Sequence, residues 1–158
     1  MGCISTVDLQ TKMEVQELLS RFCHYLDHYK TTEWSQLFTT DAVIDGGHIG
    51  IYEGRAEIAR IPERVNEIGG GFWRHHLSNV MFARTSEAKE LEVKAYCLTT
   101  DWSQGGALVH GFDFQAILKH RCHWQFHNLV LTSVAQRCVG ADLSSGQHVP
   151  LPGAALLN

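Results

Sequence analysis

The side chains of this sequence best suited to chemistry are a carboxylate and an imidazole. Asp27 closes a segment in which Val15, Leu18, Leu19, Phe22, Tyr25, Leu26 and Tyr29 recur every three or four residues. At about 100° per residue, His24 and His28 fall opposite that apolar stripe, whereas Asp27 lies at its edge and is placed to look inward. Farther on, Arg74-His75-His76-Leu77-Ser78-Asn79-Val80 has the character of a strand. His75, Leu77 and Asn79 fall on one face and His76, Ser78 and Val80 on the other, and alternation alone leaves open which histidine faces the interior. A helix packed inside a curved sheet brings an inward carboxylate within reach of such an imidazole. The carboxylate then holds the ring tautomer and stabilises its protonated form while burial opposes charging, which gives a general acid–base group poised near neutral pH. The plainer readings are an Asp27 that pairs with Lys30 at the helix end and a core histidine bonded to a backbone carbonyl.

Other chemistries find less support. His24 and His28 stand one turn apart, and His120, Cys122, His123 and His127 crowd the last hairpin, yet neither group supplies a recognisable ligand set, so no metal is expected. The sequence has no G-x-x-x-x-G-K-[ST], no dinucleotide-binding glycine spacing between a strand and a long helix, and no G-x-S-x-G elbow. No nucleotide or other organic cofactor is expected.

The 158 residues suit one domain, and 44% hydrophobic with 19% charged residues can bury a real core, which excludes disorder, collagen and coiled coil. Seventeen acidic against 13 basic residues give a formal charge of -4, a field that repels phosphates, so no nucleic-acid partner is expected. Protonation of the ten histidines would reverse that sign. Cys3, Cys23, Cys97, Cys122 and Cys138 are odd in number and scattered, and read as reduced thiols. No secretion signal or membrane span is expected, and the location is taken as cytoplasmic. Met1-Gly2-Cys3-Ile4-Ser5-Thr6 fits the loose myristoylation template, but no polybasic second signal follows.

The elements that must position the pair follow from periodicity. A helix is expected over 7–29, then a short helix through Trp34, Leu37 and Phe38, capped by Thr31 or Thr32 and ended by Thr39-Thr40-Asp41. A strand over 42–45, a glycine turn over 46–50 and an extended Ile51-Tyr52 form a hairpin. A helical stretch over 55–68 must kink or restart at Pro62 and stops at Gly69-Gly70-Gly71. Strands are expected over 72–84, 91–102, 107–119 and 124–136. Helices first and long strands after argue for an α+β domain over 1–139, a curved antiparallel sheet wrapped around amino-terminal helices, followed by an extended tail over 140–158. Apolar residues on both alternations of the later strands predict a face covered by a second subunit, hence a homodimer or homotrimer.

Several segments together resemble a known family. Asp27, then Glu33-Trp34-x-x-Leu37-Phe38-Thr39-x-Asp41-Ala42, Gly54-Arg55-Ala56-Glu57-Ile58 and Arg74-His75-His76-Leu77-Ser78-Asn79-Val80 are similar to the SnoaL-like, scytalone dehydratase-like branch of the nuclear transport factor 2-like superfamily. The likeness spans about residues 10 to 135. It implies a cone-shaped, cystatin-like fold holding a hydrophobic small molecule, with a buried aspartate and histidine in place of a metal or organic cofactor. The matching positions are Asp27 and His75. No residue here matches the second catalytic histidine of scytalone dehydratase.

On that basis the expected function is a lyase or isomerase of polyketide or terpenoid biosynthesis, catalysing dehydration, isomerisation or ring closure of a hydrophobic oxygenated substrate. His75 would be the acid–base group and Asp27 its orienting partner. Asp113 and Gln115 share a strand face and are expected to contact substrate, as are Asn79, on the alternation of His75, and Tyr52, Trp34, Trp73, Thr99 and Asp101. Hydrolysis or halide elimination would use the same pair. The alternative from another class is a non-catalytic ligand-binding or oligomerisation module.

Overall fold

Asp8 starts the first helix, accepting from Thr11 N–H at 2.9 Å and from Thr11 Oγ1 at 2.8 Å, a side-chain cap that satisfies a backbone donor with no partner inside the helix. The helix runs over Leu9–Asp27 (α1) and buries Val15, Leu18, Leu19, Phe22, Cys23 and Leu26 as one stripe. Tyr29, at φ 60°, turns the chain out of it. The computed structural model that shows this describes residues 6–134. Cys3, Cys138, the myristoylation pattern and the expected 140–158 tail lie outside the described residues. Among those residues no helix is long and apolar enough to cross a membrane.

After α1 come Thr31–Gln36 (α2), Phe38–Asp45 (β1), a 3-10 turn over Gly47–Ile49, Ile51–Glu53 (β2), Arg55–Ile58 (α3) and Ile61–Gly69 (α4). The strands Trp73–Arg84 (β3), Glu90–Asp101 (β4), Ala107–His120 (β5) and Trp124–Ser133 (β6) complete it. All six strands form one sheet in the order β2-β1-β6-β5-β4-β3. The expected hairpin is present as antiparallel β1–β2. Pro62 restarts the helical stretch in the first turn of α4, where its missing N–H costs no bond.

Three expectations are corrected. Phe38 and the Thr39-Thr40-Asp41 run do not end the second helix but open β1, because Phe38 pairs with Phe126 and Phe126 N–H donates to Leu37 O at 2.8 Å. Neither Thr31 nor Thr32 caps α2; Lys30 holds the cap position and no side chain bonds there. The sheet is not wholly antiparallel, since β1 lies parallel to β6. The N-terminal strand thus docks beside the last one and draws the helices across the sheet.

The core sits between α1 and the concave sheet face. Phe22 packs on Trp34, Phe114 and Phe126 with ring centroids 5.5, 5.7 and 5.3 Å apart. Leu91, Val93, Ala95 and Cys97 of β4 and Phe112, Phe114, Ala116 and Leu118 of β5 are buried on alternate positions. Register shifts in β3, between β4 and β5, and in β5–β6 bend the strands around α1.

The α4–β3 corner ties the fold to one wall of the interior. Gly70 takes the left-handed conformation, φ 58°, and its N–H donates to Asn66 O at 2.7 Å. Gly69 is buried against Trp73; a Cβ there would lie 2.5 Å from the indole Cγ. Gly69→Ala, normally favourable in a helix, is therefore expected to lower stability by about 1–3 kcal/mol through overpacking, as read by denaturant unfolding.

Candidate active site

Asp27 is the last residue of α1, and its side chain is 5% exposed. A buried carboxylate needs hydrogen-bond donors to offset lost hydration, and both of its oxygens have one from a single residue of β3. Its Oδ1 lies 2.6 Å from His75 Nδ1, and its Oδ2 accepts His75 N–H at 3.0 Å. An ionised carboxylate only accepts, so Nδ1 carries a proton and donates it; the neutral ring then keeps its lone pair on Nε2. Asp27 therefore fixes the position, plane and tautomer of the imidazole at once.

His75 lines a cavity of about 270 Å³ between α1, α4 and the concave sheet. Its walls are mostly apolar, including Phe22, Leu26, Trp34, Ile44, Val65 and Phe112, with Tyr52, Trp73 and Thr99 among them. Trp34 Nε1–H donates to Phe22 O at 3.1 Å and the Tyr52 hydroxyl donates to Ile49 O at 3.0 Å, so both rings are held. A larger surface hollow of about 460 Å³, lined in part by Glu14, Glu17 and Trp124, contains neither partner of the pair.

Alternation leaves His75 and His76 undecided. The structure turns His75 inward, whereas His76 is exposed and its Nε2 lies 3.0 Å from Thr100 Oγ1. Of the expected contact residues, Tyr52, Trp34, Trp73 and Thr99 line the cavity. Asn79, Asp101, Asp113 and Gln115 do not. Asn79 sits at φ 55° in the β3 bulge, which breaks the alternation from His75 and leaves it exposed. Asp101 caps the end of β4, where Ser103 N–H at 2.8 Å holds its carboxyl below the usual range. Asp113 and Gln115 alternate with the buried Phe112, Phe114 and Ala116 and so belong to the convex face; Gln115 Nε2 donates to Glu92 Oε1 at 2.6 Å.

Sequence patterns miss three basic lining residues: His48, Arg64 and His110. For His110 a signal exists, since it shares the alternation of Phe112 and Phe114. His48 comes from an irregular turn and Arg64 from the polar side of a short helix, where periodicity says nothing of the interior. Burial first, then the neighbouring His48 and His75, lower the pKa of His110. Cys97 also lines the cavity, but burial and then the charge of Asp27 push its thiol up to about 12, and Cys23 beside it is likewise at about 12, first through burial. Neither is a thiolate nucleophile at neutral pH.

The histidines considered for metal binding are dispersed. His28 Nδ1 lies 2.9 Å from His24 O, and His127 Nδ1 lies 3.1 Å from Thr39 Oγ1. Among the described residues no group of three or more His, Cys, Asp or Glu side chains is arranged to hold a metal ion.

With this geometry in hand, a family model described as the SnoaL-like domain matches residues 7–128, more than half of the chain. No curated protein matches significantly. Among solved structures, Aln2 from a Streptomyces species is 15% identical with a TM-score of 0.76, covering 87% of this chain and 100% of that one. A protein of unknown function with a cystatin-like fold from Nostoc punctiforme is 17% identical with a TM-score of 0.72, covering 80% and 93%. A Novosphingobium aromaticivorans protein whose name proposes a scytalone dehydratase is 16% identical with a TM-score of 0.67, covering 80% and 85%. At these identities the likeness establishes the cystatin-like, nuclear transport factor 2-like fold.

Proposed function

We propose, for a chain that belongs to the SnoaL-like domain family, a cofactor-independent acid–base enzyme of lyase or isomerase type acting on a hydrophobic oxygenated small molecule, a polyketide or terpenoid. The observation that carries this reading is the 2.6 Å bond between Asp27 Oδ1 and His75 Nδ1 beside an apolar cavity. With Nδ1–H committed to the carboxylate, Nε2 takes a proton from a carbon next to a substrate carbonyl, and Asp27 balances the imidazolium that forms. Returning that proton to a different carbon isomerises the substrate. Delivering it to a departing hydroxyl completes a dehydration, and the same enolate attacking a second carbonyl closes a ring. The Tyr52 hydroxyl, already a donor to Ile49 O, keeps lone pairs with which to accept from a substrate hydroxyl.

One acid–base group contributes about 10²- to 10⁴-fold, so any larger acceleration falls to orientation by the Trp34, Trp73 and Thr99 walls. The proposed dehydratase name of the Novosphingobium relative belongs to the same reaction class and supports the reading. A ligand-binding module without chemistry would have no need of a tautomer-fixing carboxylate, which favours the enzyme.

Self-association is part of the proposal. The convex face presents Met81, Tyr96 and Leu98 at 68%, 55% and 40% exposure on adjacent strands, an apolar area a second copy can cover. Sedimentation equilibrium is expected to give the mass of two or three chains; a monomer at all micromolar concentrations would remove this element.

The chemistry is tested with 5-nitrobenzisoxazole, an apolar probe whose C–H deprotonation breaks its N–O bond and releases a coloured phenolate. The wild-type chain is expected to accelerate the elimination over buffer, and Asp27→Asn and His75→Ala each to lose about 10²- to 10⁴-fold of kcat/KM. Absence of acceleration, or full retention by both variants, contradicts the reading.

A further inference from the structure

The ionisable lining of the cavity is one-sided in a way the His75–Asp27 pair does not require. His48 from the 3-10 turn, Arg64 from α4 and His110 from β5 join His75 in the wall, and no carboxylate side chain does. Asp27 lies behind the His75 ring with both oxygens engaged. His75 pairs with Thr99 and Thr99 with His110, so the three occupy one row across β3, β4 and β5. The two imidazoles of that row thus stand two strand spacings apart, about 10 Å between backbones. At its far end the ring centroids of His48 and His110 are 6.4 Å apart; His48 stacks on Phe112 at 6.0 Å and Trp73 meets His110 edge-on at 5.8 Å. Among the described residues no hydrogen bond or ion pair engages the side chains of His48, His110 or Arg64.

A molecule entering this space meets three imidazoles, a guanidinium and aromatic faces, with no acid to receive a cation. Neutral oxygenated ligands gain burial and ordinary hydrogen bonds. An anion gains charge-assisted hydrogen bonds, which are about twice as strong as neutral ones. We infer that the cavity selects an aromatic or polyunsaturated carboxylate, its ionised oxygens seated at His48 and His110 and its apolar body extending toward His75. The placement of the reactive carbon at His75 rests on the proposed function; the choice of an anion does not.

The pH dependence follows from the groups that face the seat: His48 on the turn, His110 on β5, His75 on β3 with Asp27 behind it on α1, Arg64 on α4, Tyr52 on β2 and Cys97 on β4. In the empty cavity, burial and the neighbouring imidazoles hold His110 toward its neutral form. A bound carboxylate opposes both effects, so binding takes up a proton. Affinity then rises as pH falls through the histidine range, in which the ligand itself stays ionised.

The test titrates the full chain with 1-naphthoate and with its neutral analogue 1-naphthalenemethanol, following the fluorescence of Trp34 and Trp73, which line the cavity. At a pH of about 6, naphthoate is expected to bind about 10-fold or more tighter than the alcohol, with the gap narrowing toward a pH of about 8. His48→Gln and His110→Gln should each remove much of the preference, while Asp27→Asn keeps it. Naphthoate binding no tighter than the alcohol, undetectable binding included, overturns the inference, as does a preference that survives both glutamine variants. A chain that prefers the anion yet leaves 5-nitrobenzisoxazole untouched upholds the inference and removes the catalytic reading. A chain that accelerates the elimination without preferring the anion does the reverse.

Discussion

The structure is organised around one buried negative charge. Asp27, 5% exposed, is tolerable only because two N–H groups of His75 meet its two oxygens. Removing one partner of such a pair typically costs about 3–5 kcal/mol, because the other charge is left buried without compensation. The same two bonds tie the end of α1 to the start of β3. Architecture and chemistry therefore share an interaction: what closes the helix onto the sheet also aims the imidazole. The Cys23 and Cys97 thiols nearby stay protonated, first through burial and then through neighbouring charge, Asp27 included.

The rest of the interior separates shape from polarity. Phe22, Phe38, Phe114 and Phe126 fill the closed part of the cone with aromatic contacts, which leaves an open part lined by His75, Thr99 and His110 in a single row. A row across a sheet is a rigid ruler, since strand spacing fixes its divisions. A register shift between Thr99 and Thr100, opposite Val109, adjoins that row, and such bulges commonly re-aim side chains.

What was legible in the sequence depends on the physical signal each residue gives. The stripe of α1 is a strong periodic pattern, and it places Asp27 at the inner edge of the helix. Pro62 and the glycine triplet mark real breaks because their backbone limits act locally. Thr39 to Asp41 resemble a helix stop, although β-branched threonines suit a strand; the partner that decides, Phe126, pairs with Phe38 from the far end of the chain. Alternation misplaces Asn79 because a bulge erases it, and misplaces Asp113 with Gln115 because both alternations of β5 carry apolar residues. His48 and the parallel β1–β6 pairing depend on tertiary closure and leave no local trace.

The central claim is that Asp27 fixes the His75 tautomer with Nδ1 protonated and Nε2 turned to the cavity. Long-range ¹H–¹⁵N spectra of histidine-labelled protein, assigned with His75→Gln, read that state directly. The expected result is a protonated Nδ1 with a far-downfield, slowly exchanging proton and an Nε2 that carries none, the downfield signal vanishing in Asp27→Asn. A His75 ring in the Nε2–H tautomer, or averaging between the two forms, would contradict it.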